Sequence, residues 1–214
     1  MINHAELDNS GWTFVEGIKT SSELLELGRT IGQPIPSPNG EMVKQIKVTP
    51  SIKASPGSQS SMYDTGPFPL HTDTVFWPIP VRYVLLRAEG DLRRPTTVMS
   101  FMEIFKSQDK KFANLVRKSI WLTCTMSKPF YCSLELYDGV SIGWRYDKDL
   151  MVPVNEAAKE VDSLLRSLVM SSRTNNIDWQ ENSAVILSNW KVLHGRGAQP
   201  PDEGLRIIER IYVR

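Results

Sequence analysis

The residues of this chain whose types and spacing could do chemistry are His71-Thr72-Asp73, His194-Gly195-Arg196 far downstream, and then Arg206 and Arg210. Two imidazoles and one carboxylate are the ligands of the facial triad that holds non-haem Fe(II) and leaves coordination positions open for other molecules. Oxygen chemistry is therefore the expectation. The stretch from Leu70 to Trp77 is rich in β-branched and aromatic residues and reads as a strand. Strand side chains repeat every two residues, so His71 and Asp73 would leave one face as neighbours and Thr72 the other. His194 follows a second strand-like run, Ser183 to Asn189 continuing through Trp190 to Leu193, so a remote strand must deliver the third ligand. Alone, a His-x-Asp is a weak motif, and a surface histidine bonded to a nearby carboxylate is its ordinary alternative.

The C-terminal run Leu205 to Arg214 also alternates. Arg206, Ile208, Arg210 and Tyr212 share one face, and Leu205, Ile207, Glu209 and Ile211 the other. If the first face points inward, two guanidinium groups there require an anion, because buried charges are normally paired. A dicarboxylate ligand would meet that need. If the face is exposed, the arginines are simply solvated.

Taken together, His71-Thr-Asp73, the segment Asn189-Trp-Lys-Val-Leu-His194-Gly-Arg196 and the terminal Arg206-Ile-Ile-Glu-Arg210 resemble the motifs of the taurine dioxygenase and clavaminate synthase-like family of Fe(II)- and 2-oxoglutarate-dependent oxygenases. The resemblance runs from about Gly66 to the C-terminus. It implies that His71, Asp73 and His194 bind the metal, that Arg206 holds the far carboxylate of 2-oxoglutarate, and that Arg210 lies near the keto-acid end or the substrate. A threonine contacting that far carboxylate would be Thr97, with Thr96 beside it. The family's glycine-rich approach to this threonine is replaced here by Arg93-Arg94-Pro95.

The activity implied is O2-dependent oxidation, with 2-oxoglutarate decarboxylated to succinate and CO2 and an unactivated C–H bond hydroxylated. Desaturation, cyclisation and epimerisation use the same ligands. Halogenation does not fit, because that variant replaces the carboxylate with a small residue and Asp73 is present. By analogy the substrate is a small amino-acid-derived or specialised metabolite. Two other readings stand beside this one: a cupin-like metalloenzyme that does not use 2-oxoglutarate, which leaves the two arginines without their simplest role, and a non-catalytic ligand-binding jelly roll.

Val75, Phe76 and Trp77 after the iron pair, Tyr63 and Asp64 before it, and Trp144 and Arg145 midway along are candidates for the substrate wall; ordinary packing is the alternative for each. Arg196 is expected to be a structural ion-pair partner. A capped helix is predicted from Ser21 to Ile31, ended by Gly32. A turn-rich connection over 34–40 leads to a strand over Glu41–Val48. The polar loop Ala54–Ser61 precedes the metal strand, as a lid or a passive connector. Strands over Arg82–Ala88 and Thr96–Ser100, helical character over Phe101–Lys118, and a hairpin of Ile120–Met126 with Phe130–Leu136 follow. An amphipathic helix over Glu156–Ser171 should bury Ala157, Val161, Leu164, Leu165 and Leu168. This order predicts one domain over 1–214, mainly β with flanking helices: a double-stranded β-helix, or jelly roll, of cupin-like type with the metal inside.

Bulk properties agree with a soluble single-domain enzyme. Twenty-five Lys and Arg against 24 Asp and Glu leave a net charge of +1, which gives no strong attraction to nucleic acid or an anionic membrane. Arg93-Arg94 and Lys110-Lys111 read as solvated patches. Neither a basic-then-apolar leader nor a bilayer-length apolar run is seen, so the cytoplasm is the default. Cys124 and Cys132 flank a turn at Ser127 to Phe130; buried reduced thiols are expected over a cross-hairpin disulfide. The third histidine, His4, is a poor ligand candidate at an exposed N-terminus. Oligomeric state has no signature in the sequence.

Overall fold

Strands whose two faces bury against different partners organise this chain. The computed structural model describes residues 1–48, 50–54, 59–106, 108–124, 128–171 and 174–214. The strands are β1 Trp12–Glu16, β2 Pro34–Ile35, β3 Lys44–Lys47, β4 Phe68–His71, β5 Tyr83–Gly90, β6 Thr96–Ser100, β7 Trp121–Thr123, β8 Tyr131–Cys132, β9 Glu135–Tyr137, β10 Ile142–Trp144, β11 Met151–Pro153, β12 Asn175–Ile177, β13 Ser183–Ser188, β14 Val192–Arg196 and β15 Arg206–Val213. The helices are α1 His4–Ser10, α2 Ser21–Ile31, α3 Gln59–Tyr63, α4 Phe101–Lys106, α5 Lys110–Lys118 and α6 Glu156–Ser171.

One sheet runs β1-β13-β5-β15-β2, with β3 also pairing β15, and a second runs β12-β6-β14-β4; their pairings are antiparallel. Val84, Leu86, Val185, Leu187 and Tyr212 from the first sheet meet Val98, Ile177 and Val192 from the second in one buried cluster. The intervening positions of the first sheet, Leu85, Ala184, Ile186, Ile211 and Val213, pack outward on Leu24 and Leu27 of α2. On the second sheet, Leu70, Met99 and Leu193 pack outward on Phe101, Phe112, Val161 and Leu165 of the helical layer. Both sheets are therefore apolar on both faces. The space between them is a jelly-roll interior, as predicted, and it holds the inward-facing polar residues.

Local signals were accurate where one element sufficed. α2 opens with a capping box in which Thr20 accepts from the Glu23 N–H and Glu23 reaches back to the Thr20 N–H, one residue before the predicted start. α6 spans the predicted residues but buries Ala158 rather than Ala157. The strand expected over 41–48 is shorter, Lys44–Lys47, and the helical stretch after β6 is two helices. The predicted hairpin is β7 with β8, which pair Trp121 with Cys132. Both cysteines are free, and Cys124 is exposed rather than buried. Of the loop expected to act as lid or connector, residues 55–58 lie outside the described residues, and Gln59 onward is α3.

Two expectations about the metal strands needed revision. The strand predicted over Leu70–Trp77 ends at His71, because the chain turns at Asp73 and Thr74 takes a positive φ of 54°. The run from Ser183 to Leu193 is likewise two strands. β13 ends at Ser188, a turn at Asn189–Lys191 follows, and β14 enters the other sheet.

Candidate active site

The triad is assembled by strand register. His194 on β14 lies directly opposite His71 on β4, with ring centroids 4.6 Å apart. Gly195 allows β14 to sit this close to its neighbours: a Cβ there would lie 2.5 Å from the Phe68 carbonyl and 3.0 Å from Thr97 Oγ1.

Asp73 reaches the same point from a turn, and remote groups hold that turn. The buried Asn189 side chain accepts from the Asp73 N–H (2.9 Å) and donates to the carbonyls of Asp73 (3.0 Å) and Val81 (2.8 Å). Thr72 exchanges hydrogen bonds with the Tyr146 backbone, and Thr74 Oγ1 accepts from Val81 N–H. A β-branched residue at positive φ is costly, and these bonds offset the cost. Asn189, which opens the distal motif segment but carried no expected role, holds this turn in place. Its signal was an amide side chain between two apolar strands, which its place in the turn also explains.

Asp73 Oδ1 lies 3.6 Å from His71 Nε2, and Oδ2 lies 3.5 Å from His194 Nε2. One ligand atom from each residue falls within 4.8 Å of the others, and all three residues are buried. His71 Nδ1 is 3.1 Å from the Pro69 carbonyl, which fixes the proton there and leaves Nε2 as the lone-pair atom facing Asp73. The donor set and its convergence fit a divalent metal of the Fe(II) type.

Electrostatics prepare the same set. Burial alone would raise the Asp73 carboxyl, but the Arg210 guanidinium, His194 and His71 outweigh it and hold the group well below its ordinary 3.8. Arg210 Nη1 sits 3.1 and 3.2 Å from the two Asp73 oxygens. Burial lowers His71, yet the hydrogen bond and charge of Asp73 turn the net shift upward; at His194 burial prevails and the shift is downward. Metal binding needs neutral imidazole and ionised carboxylate; the downward shifts of Asp73 and His194 favour those forms, and the upward shift of His71 opposes them.

The ligands open on a cavity of about 140 Å³ lined by Ile46, Lys47, Val48, Phe68, Leu86, Thr96, Gly195, Arg196, Arg206, Ile208 and Arg210 as well as the triad. That suffices for a small dicarboxylate, since one water needs roughly 10–15 Å³. The alternation read along β15 is correct and its Arg206 face points inward. Arg206 is 7% exposed, and among the described residues it makes no hydrogen bond or ion pair; its guanidinium carbon lies 5.7 Å from the Trp179 ring. Burial, with Arg94 adding to it, pushes Arg206 down to about 10.

Other predicted site residues fall elsewhere. Thr96, not Thr97, lines the cavity: register sets Val98 opposite His194, so Thr96 and Val98 share the inward face and Thr97 takes the other. Trp144 stacks on Phe101 and Phe105 in the helical layer, where Phe76 also packs. Trp77 packs at 6.1 Å against Tyr212. Tyr63 bonds to Asp149 and Lys148, and its ring meets Phe68, which in turn meets His71 at 4.7 Å. None of these four aromatics is among the cavity's lining residues.

Arg145 donates to the carbonyls of Trp77 (3.0 Å) and Pro78 (2.8 Å), so it braces the segment after Asp73. Among the described residues Arg196 makes no ion pair; it donates to the carbonyls of Gly66 and Asp64, and Asp64 contributes that backbone contact rather than a cavity wall. Arg94 is no surface residue either. It is wholly buried, paired with Glu203 and donating to the Thr65 carbonyl at 2.8 Å.

A scan against protein-family models finds no match, and comparison with curated proteins finds none either. Solved structures do match in fold. An asparagine oxygenase in complex with Fe(II), 2S,3S-3-hydroxyasparagine and succinate superposes with a TM-score of 0.77 at 17% identity, over 98% of this chain and 77% of that one. PvcB from Pseudomonas aeruginosa gives 0.71 at 16% identity, over 99% and 78%. The non-heme iron oxygenase OrfP, in complex with Fe, succinate and (3S)-hydroxy-L-Arg, gives 0.71 at 17% identity, over 97% and 76%. At these identities the likeness establishes a shared jelly-roll fold.

Proposed function

We propose that this chain is an Fe(II)- and 2-oxoglutarate-dependent oxygenase of the taurine dioxygenase and clavaminate synthase-like type, hydroxylating a C–H bond of a small amino-acid-derived substrate. The observation that carries the reading is the pairing, in one cavity, of a buried His71-Asp73-His194 triad with a buried Arg206 that has no acidic partner among the described residues. A buried guanidinium that makes no ion pair is costly, with only the more distant Glu203 and Asp91 charges to offset it, so a cosubstrate carboxylate explains its place.

Bound at the triad, iron would supply O2 activation coupled to decarboxylation of 2-oxoglutarate. The residues supply binding, orientation and exclusion of water. Asn189 fixes the Asp73 turn, Pro69 fixes the His71 ring, and Arg210 keeps Asp73 ionised. Arg206 and Thr96 receive the far carboxylate, and the apolar Ile46, Leu86 and Ile208 dry the cavity and strengthen each charge interaction in it. The substrate class follows the structural neighbours, two of which are described with hydroxylated asparagine or arginine. Among the described residues no helix is long and apolar enough to cross a membrane.

The test is anaerobic titration of purified protein with Fe(II) and then 2-oxoglutarate, read by the visible charge-transfer band of bidentate keto-acid chelation. A band should form in the wild type, and His71→Ala and His194→Ala should lose metal while keeping the wild-type circular dichroism spectrum. Iron binding without a band would favour a cupin-like enzyme that does not use 2-oxoglutarate. Binding of neither would leave a non-catalytic jelly roll.

A further inference from the structure

Charge is unevenly shared out around the cavity. Arg196, Arg206 and Arg210 line it, and the ligand Asp73 is the one acidic residue among its lining residues. Every Asp and Glu of the chain lies within the described residues, so this account of the carboxylates is complete. Other carboxylates whose charge reaches the site are engaged elsewhere: Glu203 with Arg94, Asp91 with Arg93 and the Gly204 N–H, and Asp147 with the N–H groups of Asp149 and Leu150. Arg210 faces Asp73, and the far carboxylate of 2-oxoglutarate answers Arg206. Arg196 has no counter-ion in this arrangement. It stands on the inward face of β14, two residues after His194 and paired with Thr96 on β6 and Phe68 on β4, both of which line the cavity. Its Nε and Nη2 donate to the carbonyls of Gly66 at 2.9 Å and Asp64 at 3.0 Å, which holds the guanidinium in place. Nη1 makes no hydrogen bond among the described residues and, unlike the Nε atoms of Arg206 and Arg210, keeps accessible surface. Ile46, Val48, Leu86 and Ile208 supply apolar wall to the same cavity.

We propose that the primary substrate is a carboxylate with an apolar body and no charged amino group, and that Arg196 is the specificity-determining residue that receives its carboxylate. The inference rests on the 2-oxoglutarate reading of the cavity and narrows the substrate class of that site. A carboxylate would give Arg196 its counter-ion through a charge-assisted bond from a guanidinium already fixed by two others. An ammonium would instead enter among arginines with no free carboxylate to meet it, and an unpaired charge beside like charges is disfavoured in an apolar cavity. Free amino acids carry that ammonium. Their deaminated or N-acylated counterparts do not.

The experiment loads the protein with Zn(II) and saturating 2-oxoglutarate, whose own binding is measured first, and then titrates two matched series by calorimetry. One series is 4-methylpentanoate, L-leucine and L-leucinamide; the other is 3-phenylpropanoate, L-phenylalanine and L-phenylalaninamide. Within each the apolar body is constant and the charge runs from anion through zwitterion to cation. In at least one series the anion should bind about tenfold or more tightly than the other two, the difference that one hydrogen bond to a charged group makes. This comparison needs no variant. Arg196→Gln should weaken anion binding about tenfold while 2-oxoglutarate affinity and the circular dichroism spectrum keep their wild-type values. Equal binding across charges, tighter binding of the zwitterion or cation, or no binding in either series overturns the proposal. So does an anion preference that survives in Arg196→Gln, a parallel loss of 2-oxoglutarate affinity there, or an anion displaced by rising 2-oxoglutarate, which would place it on Arg206. Failure of the wild type to bind 2-oxoglutarate at all refutes the cosubstrate reading, whereas 2-oxoglutarate binding without anion preference refutes this inference alone.

Discussion

Replacing Asn189 with alanine tests how the proposed metal site is held. The amide is fully buried and serves three backbone groups, Asp73 N–H, Asp73 carbonyl and Val81 carbonyl, at 2.9, 3.0 and 2.8 Å. Alanine strands all three. At about 1–3 kcal/mol for each buried unsatisfied group the lower bound is ~3 kcal/mol, and water entering the small void keeps the sum near that bound. Domains have only about 5–15 kcal/mol in total, so this is a large fraction. For a chain of 150–250 residues each kcal/mol moves Tm by roughly 2–4 °C, which predicts a fall of about 6–12 °C in the metal-free protein. The same change releases the Asp73 turn, so anaerobic Fe(II) titration should show weakened binding on top of lost stability. Thermal and urea unfolding measure the first effect and the titration the second. A loss under about 1 kcal/mol with wild-type metal affinity would refute the clamp, because the bonds would then have been replaced at no cost.

Two further outcomes follow from charges set by the fold. Arg206→Met should raise the 2-oxoglutarate concentration needed for half-maximal succinate release by at least tenfold while leaving Fe(II) affinity unchanged, since it removes a charge-assisted bond to the cosubstrate alone; an unaltered titration would exclude Arg206 from the site. On the outer face of the first sheet, Glu209 is 2% exposed and accepts from Arg87 at 2.9 Å and Ser21 at 2.6 Å. Burial raises this carboxyl, but the Arg87 and Ser21 bonds prevail and place it below its ordinary 4.5. A depressed carboxyl stabilises above its unfolded value and loses that contribution as pH falls through the folded one, so wild-type stability should decline below about pH 4.5. Glu209→Gln should flatten that decline in urea melts across the acid range and lower neutral-pH stability by only about 1–2 kcal/mol, because Arg87 keeps its bonds to Glu89 at 3.0 Å and to the Lys19 carbonyl at 2.8 Å. An identical acid slope in the variant would show that the pair does not control it.

The sequence by itself determined what one element can encode. The candidate ligand set His71, Asp73 and His194 was legible because residue type limits coordination chemistry, and the fold brings the three side chains together. The two faces of β15 were legible because strand parity is strict, though not which of them points inward, and α2 and α6 were legible because caps and apolar spacing are local. Tertiary structure decided the rest. Asp73 reaches the ligand cluster from a turn held by Asn189, 116 residues away, rather than by strand alternation. Thr96 faces the cavity in place of Thr97 because pairing with β14 assigns the parity of β6. Arg94 looked like half of a solvated basic pair and is instead buried on Glu203, which lies 109 residues along the chain. Side-chain type and periodicity travel with the chain, whereas the partner that satisfies a buried charge or N–H is supplied by whichever strand lies alongside, and register alone specifies that strand.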